Sequence, residues 1–434
     1  MFISHNWSVK RWKKFLSLCL VWSGVRAIVA CCLTQLLCFV FILAGILPIL
    51  SSELDGHEFS VWCTMACLLT YLLVVFVAHE LLDLLGMQGY RTFLDTACVD
   101  QKDEEKKRAG IQSVTACLFH SETLVVLYSD LYLERLWTVF ELSTFLALKP
   151  NGRLLVQPVA LGPLTFFFVA IQAFRVLEVV LLPSRWDQLL SDPVTFAWGV
   201  TVMSLDLLVL LLCALLLRIW GRTRASLAQQ AAAFSFCRAK CHVEADRDQI
   251  STAIQVLAEK VGLVHQEASL KECISSFEGL VRLQVPQRMR REFGKTGIPF
   301  KTACLIALPS MAMVLDFAVL RLRGLLSEGL KEEGLMILLE ILQDMNYELC
   351  MPLVVGLVGM LSGCARGSPI FEASIVMSSF FLLVFGLWLP GGPLMPSITI
   401  MMDPLAEPGK GIVLGLLLLL QGLLLAYLYV PSRN

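Results

Sequence analysis

Charged side chains are scarce in this chain: Asp, Glu, Lys and Arg make up 16% of its 434 residues, against about 25% in an ordinary soluble domain. Hydrophobic residues fill the gap at 57%, where about 45–50% is usual, and the composition is that of a membrane protein. The formal net charge is −1 and no basic patch is interleaved with aromatics, so nucleic acid is not an expected partner. There is no G-x-x-x-x-G-K-[ST] loop, no G-x-G-x-x-G and no Ser-His-Asp order, so phosphate-loop, dinucleotide-fingerprint and triad chemistry have no footing. The 15 cysteines lack the close, even spacing of a disulfide scaffold and read as reduced or membrane-buried thiols. Cys237, Cys241 and His242 form C-x3-C-H, short of the four ligands of a structural zinc, so no metal site is expected. No cleavable signal peptide is evident, and the chain opens directly on a strand candidate, so Met1 need not be the natural start.

What is present is an island of mixed polarity, residues 90–159, between long apolar runs. A short strand candidate at residues 92–94 ends in Asp95. A helix follows over about 103–119, with acids ahead of bases as the helix dipole favours. The unbroken apolar run Thr123–Tyr128 reads as a buried parallel strand and ends in Ser129 and Asp130. A second helix over about 133–148 and a strand candidate at 153–159 close the segment. Strand, helix, strand, helix, strand at this spacing predicts a parallel sheet with crossover helices. In the second helix Trp137 and Glu141 are four residues apart and share a face.

FLDTACVDQ, LVVLYSDLY and LWTVFEL together resemble the Toll/interleukin-1 receptor (TIR) domain, whose boxes are an F-L-D strand, a strand ending in Ser and a W-C-x-x-E-L helix. Phe2-Ile3-Ser4-His5-Asn6 resembles that family's first box, a strand ending F-I-S. Thr138 stands where the family often has Cys, and a long apolar stretch separates the first two boxes. LDTACVDQKDEE is also similar to the opening of fungal heterokaryon-incompatibility domains, and the whole mosaic is similar to multi-span proteins of dinoflagellates and other algae. The resemblance implies a small flavodoxin-like parallel sheet, self-association as the means of signalling, and NAD as a candidate substrate rather than a resident cofactor. It places the glutamate that catalytic members use to cleave the nicotinamide–ribose bond at Glu141. Trp137 then supplies an apolar wall or stacking face.

Around this island the expected organisation is a multi-span α-helical protein with about eight transmembrane helices. Residues 1–20 form the first strand and helix of the TIR-like domain, 25–85 a membrane hairpin and 90–160 the α/β core. A second hairpin (161–220), a helical segment (221–297) and a C-terminal membrane region (298–434) complete the chain. Lys and Arg cluster at Lys10–Lys14, after Arg218 and at Arg288, Arg290, Arg291 and Lys295. The links around Asp55 and Asp187 are poor in Lys and Arg. The positive-inside rule then puts the TIR-like core, residues 221–297 and both termini in the cytosol. The 221–297 segment carries an apolar stripe at Ile250, Ala253, Ile254, Leu257 and Val261, and a capping box at Ser269 and Glu272. Its basic end reads either as an anionic-lipid contact or as plain topology marking.

The carboxyl ends of the three strands present Ser4, His5, Asp95, Ser129 and Asp130, and ligands of open α/β sheets bind at such ends. With Trp137 these are the expected ligand-binding residues, and Glu141 is the expected catalytic one. A second class of function is a channel or transporter regulated by the TIR-like module. Its candidates are the ionisable residues in or near spans: His79, Glu80, Glu178, Asp206, Asp316 and Glu372. Asp206 and Asp316 lie deepest, and acids clustered on a shared cavity would favour that reading. The expected partners are membrane lipid and further copies of the chain through the TIR-like domain.

Overall fold

A strand buried on both faces has no use for polar alternation, and in Thr123–Tyr128 all six residues are buried. That strand is the centre of a parallel sheet in the computed structural model of the chain. The structure describes residues 1–51, 58–84, 86, 89, 91–99, 103–181, 193–241, 244, 246–265, 268–328, 351–364, 368–387 and 407–429. The first half contains β1 (Phe2–His5), α1 (Arg11–Leu43), β2 (Leu50–Ser51), β3 (Glu58–Phe59), α2 (Trp62–Phe76), α3 (Ala78–Leu84), α4 (Asp95–Cys98), α5 (Glu104–His120), β4 (Thr123–Tyr128), α6 (Leu136–Leu148), β5 (Arg153–Pro158) and α7 (Leu161–Leu181). The second half is helical: α8 (Pro193–Ala225), α9 (Leu227–Ala232), α10 (Asp246–Lys260), α11 (Leu270–Phe293), α12 (Phe300–Glu328), α13 (Met351–Ser362), α14 (Pro369–Leu387) and α15 (Glu407–Tyr429). The chain divides into two units, one of Met1–Leu18, Leu85–Gly162 and Arg222–Gly294, the other of Cys19–Leu84, Pro163–Gly221 and Lys295–Asn434.

In the first unit β4 pairs in parallel with β1 on one side and β5 on the other. Phe93 lies beyond β1: the Ile3 N–H donates to its carbonyl at 3.0 Å and its own N–H donates to the Met1 carbonyl at 2.8 Å. The Phe2 and Phe93 rings stack at 4.9 Å. The spatial order is therefore Phe93, β1, β4, β5, and the first strand joins the sheet although more than eighty residues separate it from Phe93. The strand expected at 92–94 shrinks to this single bridging residue, because Asp95 already opens α4. Asp103 caps α5 by accepting from the Glu105 and Lys106 amides at 3.0 and 3.2 Å.

Helix α6 is buried along the whole run from Thr138 to Leu146, and a helix that is apolar all round needs cover on every side. Residues 222–294 supply part of that cover, so the segment expected to stand apart belongs to the same compact unit as the sheet. The Leu136 amide donates to the Lys240 carbonyl at 3.1 Å and the Lys240 amide to the Glu134 carbonyl at 2.8 Å. Phe277 of α11 meets Phe140 with ring centroids 6.5 Å apart, and Phe293 meets Tyr128 at 5.3 Å. The stripe Ile250, Ile254 and Leu257 is buried, and Ser269 and Glu272 close the expected capping box at the start of α11.

In the second unit α1, α2 and α12 share a core of Cys31, Cys63, Cys67, Tyr71, Leu305 and Leu308. The opposite stripe of α1 is bare: Val25, Val29, Leu33, Leu36, Leu37 and Val40 are each half exposed or more. Water does not favour so long an apolar stripe, and a bilayer does. Among the described residues two helices are long and apolar enough to cross a membrane, Arg11–Leu43 and Phe300–Gly324. A third would be α2 with α3, bent by 59° at their junction. Of the eight expected spans, two, or three with the bent pair, are candidates among the described residues. Shorter apolar stretches among the described residues lie at Leu161–Ile171, Pro352–Ser362, Pro369–Leu382 and Leu419–Tyr429. The separate amphipathic helix expected before residue 20 is instead the first part of α1. The links around Asp55 and Asp187 lie outside the described residues, as do most of residues 325–348, whose sequence reads as amphipathic, and Pro390, Pro393 and Pro396.

Candidate functional site

Consecutive residues of a strand point to opposite faces of the sheet, and this rule divides the expected site in two. Ser4, buried, points toward α6. Its hydroxyl donates to Glu141 Oε2 at 2.6 Å and lies 2.6 Å from the Tyr132 hydroxyl. Ser4 has one proton to give, so when that proton faces an ionised Glu141, Tyr132 is the donor to Ser4 Oγ. With Glu141 protonated, the same three groups can reverse their direction. Glu141 is 6% exposed, and burial pushes its carboxyl from 4.5 up to about 8; the Ser4 hydrogen bond opposes the rise and the charge of Asp95 adds to it. Burial and the Glu141 charge hold the Tyr132 phenol well above its ordinary value, so it remains a donor. Thr138 fixes the turn that presents Tyr132, donating to the Tyr132 carbonyl and, at 3.0 Å, to the Arg135 carbonyl.

His5 sits on the other face. It is buried, and its Nδ1 is 3.7 Å from Asp95 Oδ1. Burial lowers the imidazole below its ordinary value; Asp95 raises it and Lys14 lowers it further, so His5 is neutral near pH 7. Asp95 Oδ2 also accepts from Trp7 Nε1 at 2.6 Å. Ser129 follows β4 on the His5 face; it is buried, and its Oγ has no hydrogen-bond partner among the described residues. Asp130 turns back on the chain, accepting from the Leu131 amide at 3.1 Å. Trp137 is half-buried on the flank of α6, where its Nε1 donates to Asp246 Oδ2 at 3.0 Å. Ser4 and Glu141 therefore meet, His5 and Asp95 meet, and Ser129, Asp130 and Trp137 join neither pair.

Four residues of this region escaped the sequence reading. Tyr132 could have been suspected as the aromatic of S-D-L-Y just past a buried strand, but nothing local shows that its hydroxyl reaches residue 4. Asn6 and Gln157, both buried with an amide nitrogen that has no hydrogen-bond partner among the described residues, follow from sheet register alone. Asp246 depends on the docking of α10.

The ionisable residues proposed for transport are internally matched where they are described. Asp316 Oδ1 accepts from Ser60 Oγ and the Cys63 amide at 2.6 and 3.0 Å, and Oδ2 from the Thr64 amide and hydroxyl at 2.9 and 2.8 Å. It caps the start of α2 from another helix. Glu372 faces Arg218, whose Nε and Nη2 both lie 2.7 Å from Glu372 Oε2. Nη1 of the same guanidinium donates to the Ser362 and Cys364 carbonyls at the end of α13. Arg218, 2% exposed, is thus a buried charge matched within the helices. Gly221, one turn later, lets this contact form: a Cβ there would lie 1.8 Å from the Ser362 carbonyl oxygen. His79 and Glu80 are exposed, 3.5 Å apart. The side chains of Glu178 and Asp206 lie outside the described residues, as does His242. No group of three or more metal-ligating side chains occurs among the described residues. No protein family, no curated protein and no solved structure gives a match to this chain.

Proposed function

We propose that the first unit is a TIR-like module of a membrane-anchored protein, that it faces the cytosol, and that it signals by self-assembly with Glu141 as a carboxylate able to cleave NAD. The order Phe93, β1, β4, β5 supports this reading, since it is the start of a flavodoxin-like 2-1-3-4 sheet whose ligand crevice opens at the switch between β1 and its new neighbour. The observation that carries the proposal is the Glu141 carboxyl, on the Trp-x3-Glu helix, bonded to Ser4 of β1. A carboxyl whose ionisation is held up to about 8 sits where proton transfer near neutral pH is cheap, and such groups concentrate at functional sites. The positive nicotinamide ring would draw the carboxyl into its ionised form, which then stabilises an oxocarbenium-like state after the base departs.

Burial argues for how the site is used. Glu141 is covered and already bonded, so the isolated module is set in a resting form, and assembly is the event that opens it. The transport alternative draws no support from Asp316 or Glu372, both of which are matched within the helices. The test is full-length protein in detergent given NAD, dispersed or clustered, with nicotinamide release followed. Clustered parent should release nicotinamide and Glu141→Gln should be slower by about 10²–10³, the cost of losing one group that stabilises developing charge. Equal rates for parent and Glu141→Gln would remove Glu141 from the chemistry, and no release from clustered parent would leave assembly alone as the function.

A further inference from the structure

The end of α11 carries a charge cluster that neither NAD cleavage nor assembly uses. Arg288 is anchored, its Nη2 donating to the Gly152 carbonyl at 2.9 Å, while its Nε is buried with no hydrogen-bond partner among the described residues. That bond brings the helix beside Arg153, the exposed first residue of β5. Arg153, Arg288 and Arg291 all act electrostatically on one carboxylate, Glu292. Among the described residues Arg153 and Arg291 form no ion pair within 4.0 Å, and Arg291 is exposed. Three guanidinium groups within electrostatic reach of one carboxylate leave a surplus of two positive charges around Glu292.

Basic residues at a helix C-terminus also offset the helix dipole, and a membrane flank collects them as topology markers. Neither effect explains Arg153, which arrives from a strand. Nor does either distinguish Arg291 from Arg290, which helix geometry puts about 160° around the axis from Glu292. Only residues 292–299 separate Arg291 from the start of α12, a reach of at most about 30 Å. If α12 crosses the bilayer, as the membrane reading above has it, the chain allows the cluster to reach the headgroup layer.

We infer that Arg153, Arg288 and Arg291 form a binding site for a membrane phospholipid with a phosphomonoester headgroup, phosphatidic acid being the minimal example. Guanidinium forks match phosphate oxygens two at a time, and a doubly charged phosphate balances the surplus that Glu292 leaves. A singly charged headgroup of the phosphatidylserine type fits less well on both counts.

The experiment uses full-length protein in nanodiscs of phosphatidylcholine with phosphatidic acid or phosphatidylserine at equal total charge, and counts retained lipid by native mass spectrometry. Phosphatidic acid should be retained about tenfold over phosphatidylserine. Arg153→Gln and Arg291→Gln should each lower that retention about tenfold, the loss of one charged hydrogen-bond donor, while Arg290→Gln should leave it unchanged. Arg288 stays intact in all variants because it also holds Gly152. Equal retention of the two lipids, or an Arg290→Gln loss matching that of Arg291→Gln, would reduce the cluster to diffuse charge and overturn the site. Extraction of cell membranes with alkaline carbonate separates the two layers of the inference. Protein released by carbonate ends the membrane reading and the lipid site together, whereas protein that resists it yet holds neither anionic lipid loses the lipid site alone.

Discussion

Replacing Glu141 by Gln tests the buried carboxyl without any assumption about its substrate. Gln keeps the shape, still accepts from Ser4 and cannot ionise. In the parent, the folded carboxyl titrates at about 8 against 4.5 when free, so the folded state holds the proton more tightly. The stability this contributes is fully present below pH 4.5 and is lost as the pH climbs through about 8. At about 1.4 kcal/mol per pH unit the gap amounts to about 5 kcal/mol, of which about 4 kcal/mol falls between pH 5 and pH 9. Hydrogen exchange of the β4 and α6 amides in the full chain, corrected for intrinsic rates, reads this as local opening free energy. Protection in the parent should fall over that range by up to this amount, and protection in Glu141→Gln should stay level by comparison. Parallel profiles for the two proteins would mean that Glu141 titrates like an exposed carboxyl, and the proton chemistry assigned to it would go with that result.

Ser4→Ala removes the one hydrogen-bond donor to Glu141 among the described residues; it should destabilise the β1–α6 contact by about 1–3 kcal/mol and raise the Glu141 carboxyl further, visible as a shifted side-chain carboxyl titration by NMR. Asp316→Ala strips four hydrogen bonds from the start of α2 and should cost at least about 2 kcal/mol, lowering the melting temperature in detergent, with Asp316→Asn in between. Gly221→Ala forces a Cβ against the Ser362 carbonyl and should cost about 1–3 kcal/mol or more, read as loss of the monodisperse peak in size-exclusion chromatography. Trp137→Phe keeps the ring against Phe140 but drops the bond to Asp246; it should loosen α10, with faster exchange there and little change at β4.

The parts of the fold legible in the sequence are those set by local pattern. Thr123–Tyr128 announced itself because a doubly buried strand is an uninterrupted apolar run. Ser269 and Glu272 announced α11 because a capping box is a contact three residues long. Box one could be matched to the later boxes only through resemblance, since nothing between residues 6 and 90 hints that β1 will lie beside β4. The meeting of Ser4 with Glu141 was within reach once that pairing was assumed. Their division from His5 follows from the alternation of side chains along a strand, which the list of strand-end residues ignored. The docking of residues 222–294 on α6 was hidden for a different reason: an amphipathic stripe shows that a helix has a partner and says nothing about which one. Arg218, read as part of a basic flank, and Glu372, read as an ionisable residue of a span, gave no sign of each other because their pairing spans 154 residues.

The placement of β1 has a consequence for how the chain is made. Its amino group bonds the Arg91 carbonyl ninety residues on, and its Ser4 bonds Glu141, 137 residues on. During translation β1 must therefore wait, unpaired, while the apolar helices α1, α2 and α3 emerge and seek the bilayer. Closing a loop of this length is slow beside helix formation, so the helices form first and the sheet last. The pairing of residues 2–5 with 124–127 thus closes late, and until it does β4 lacks one of its two parallel neighbours.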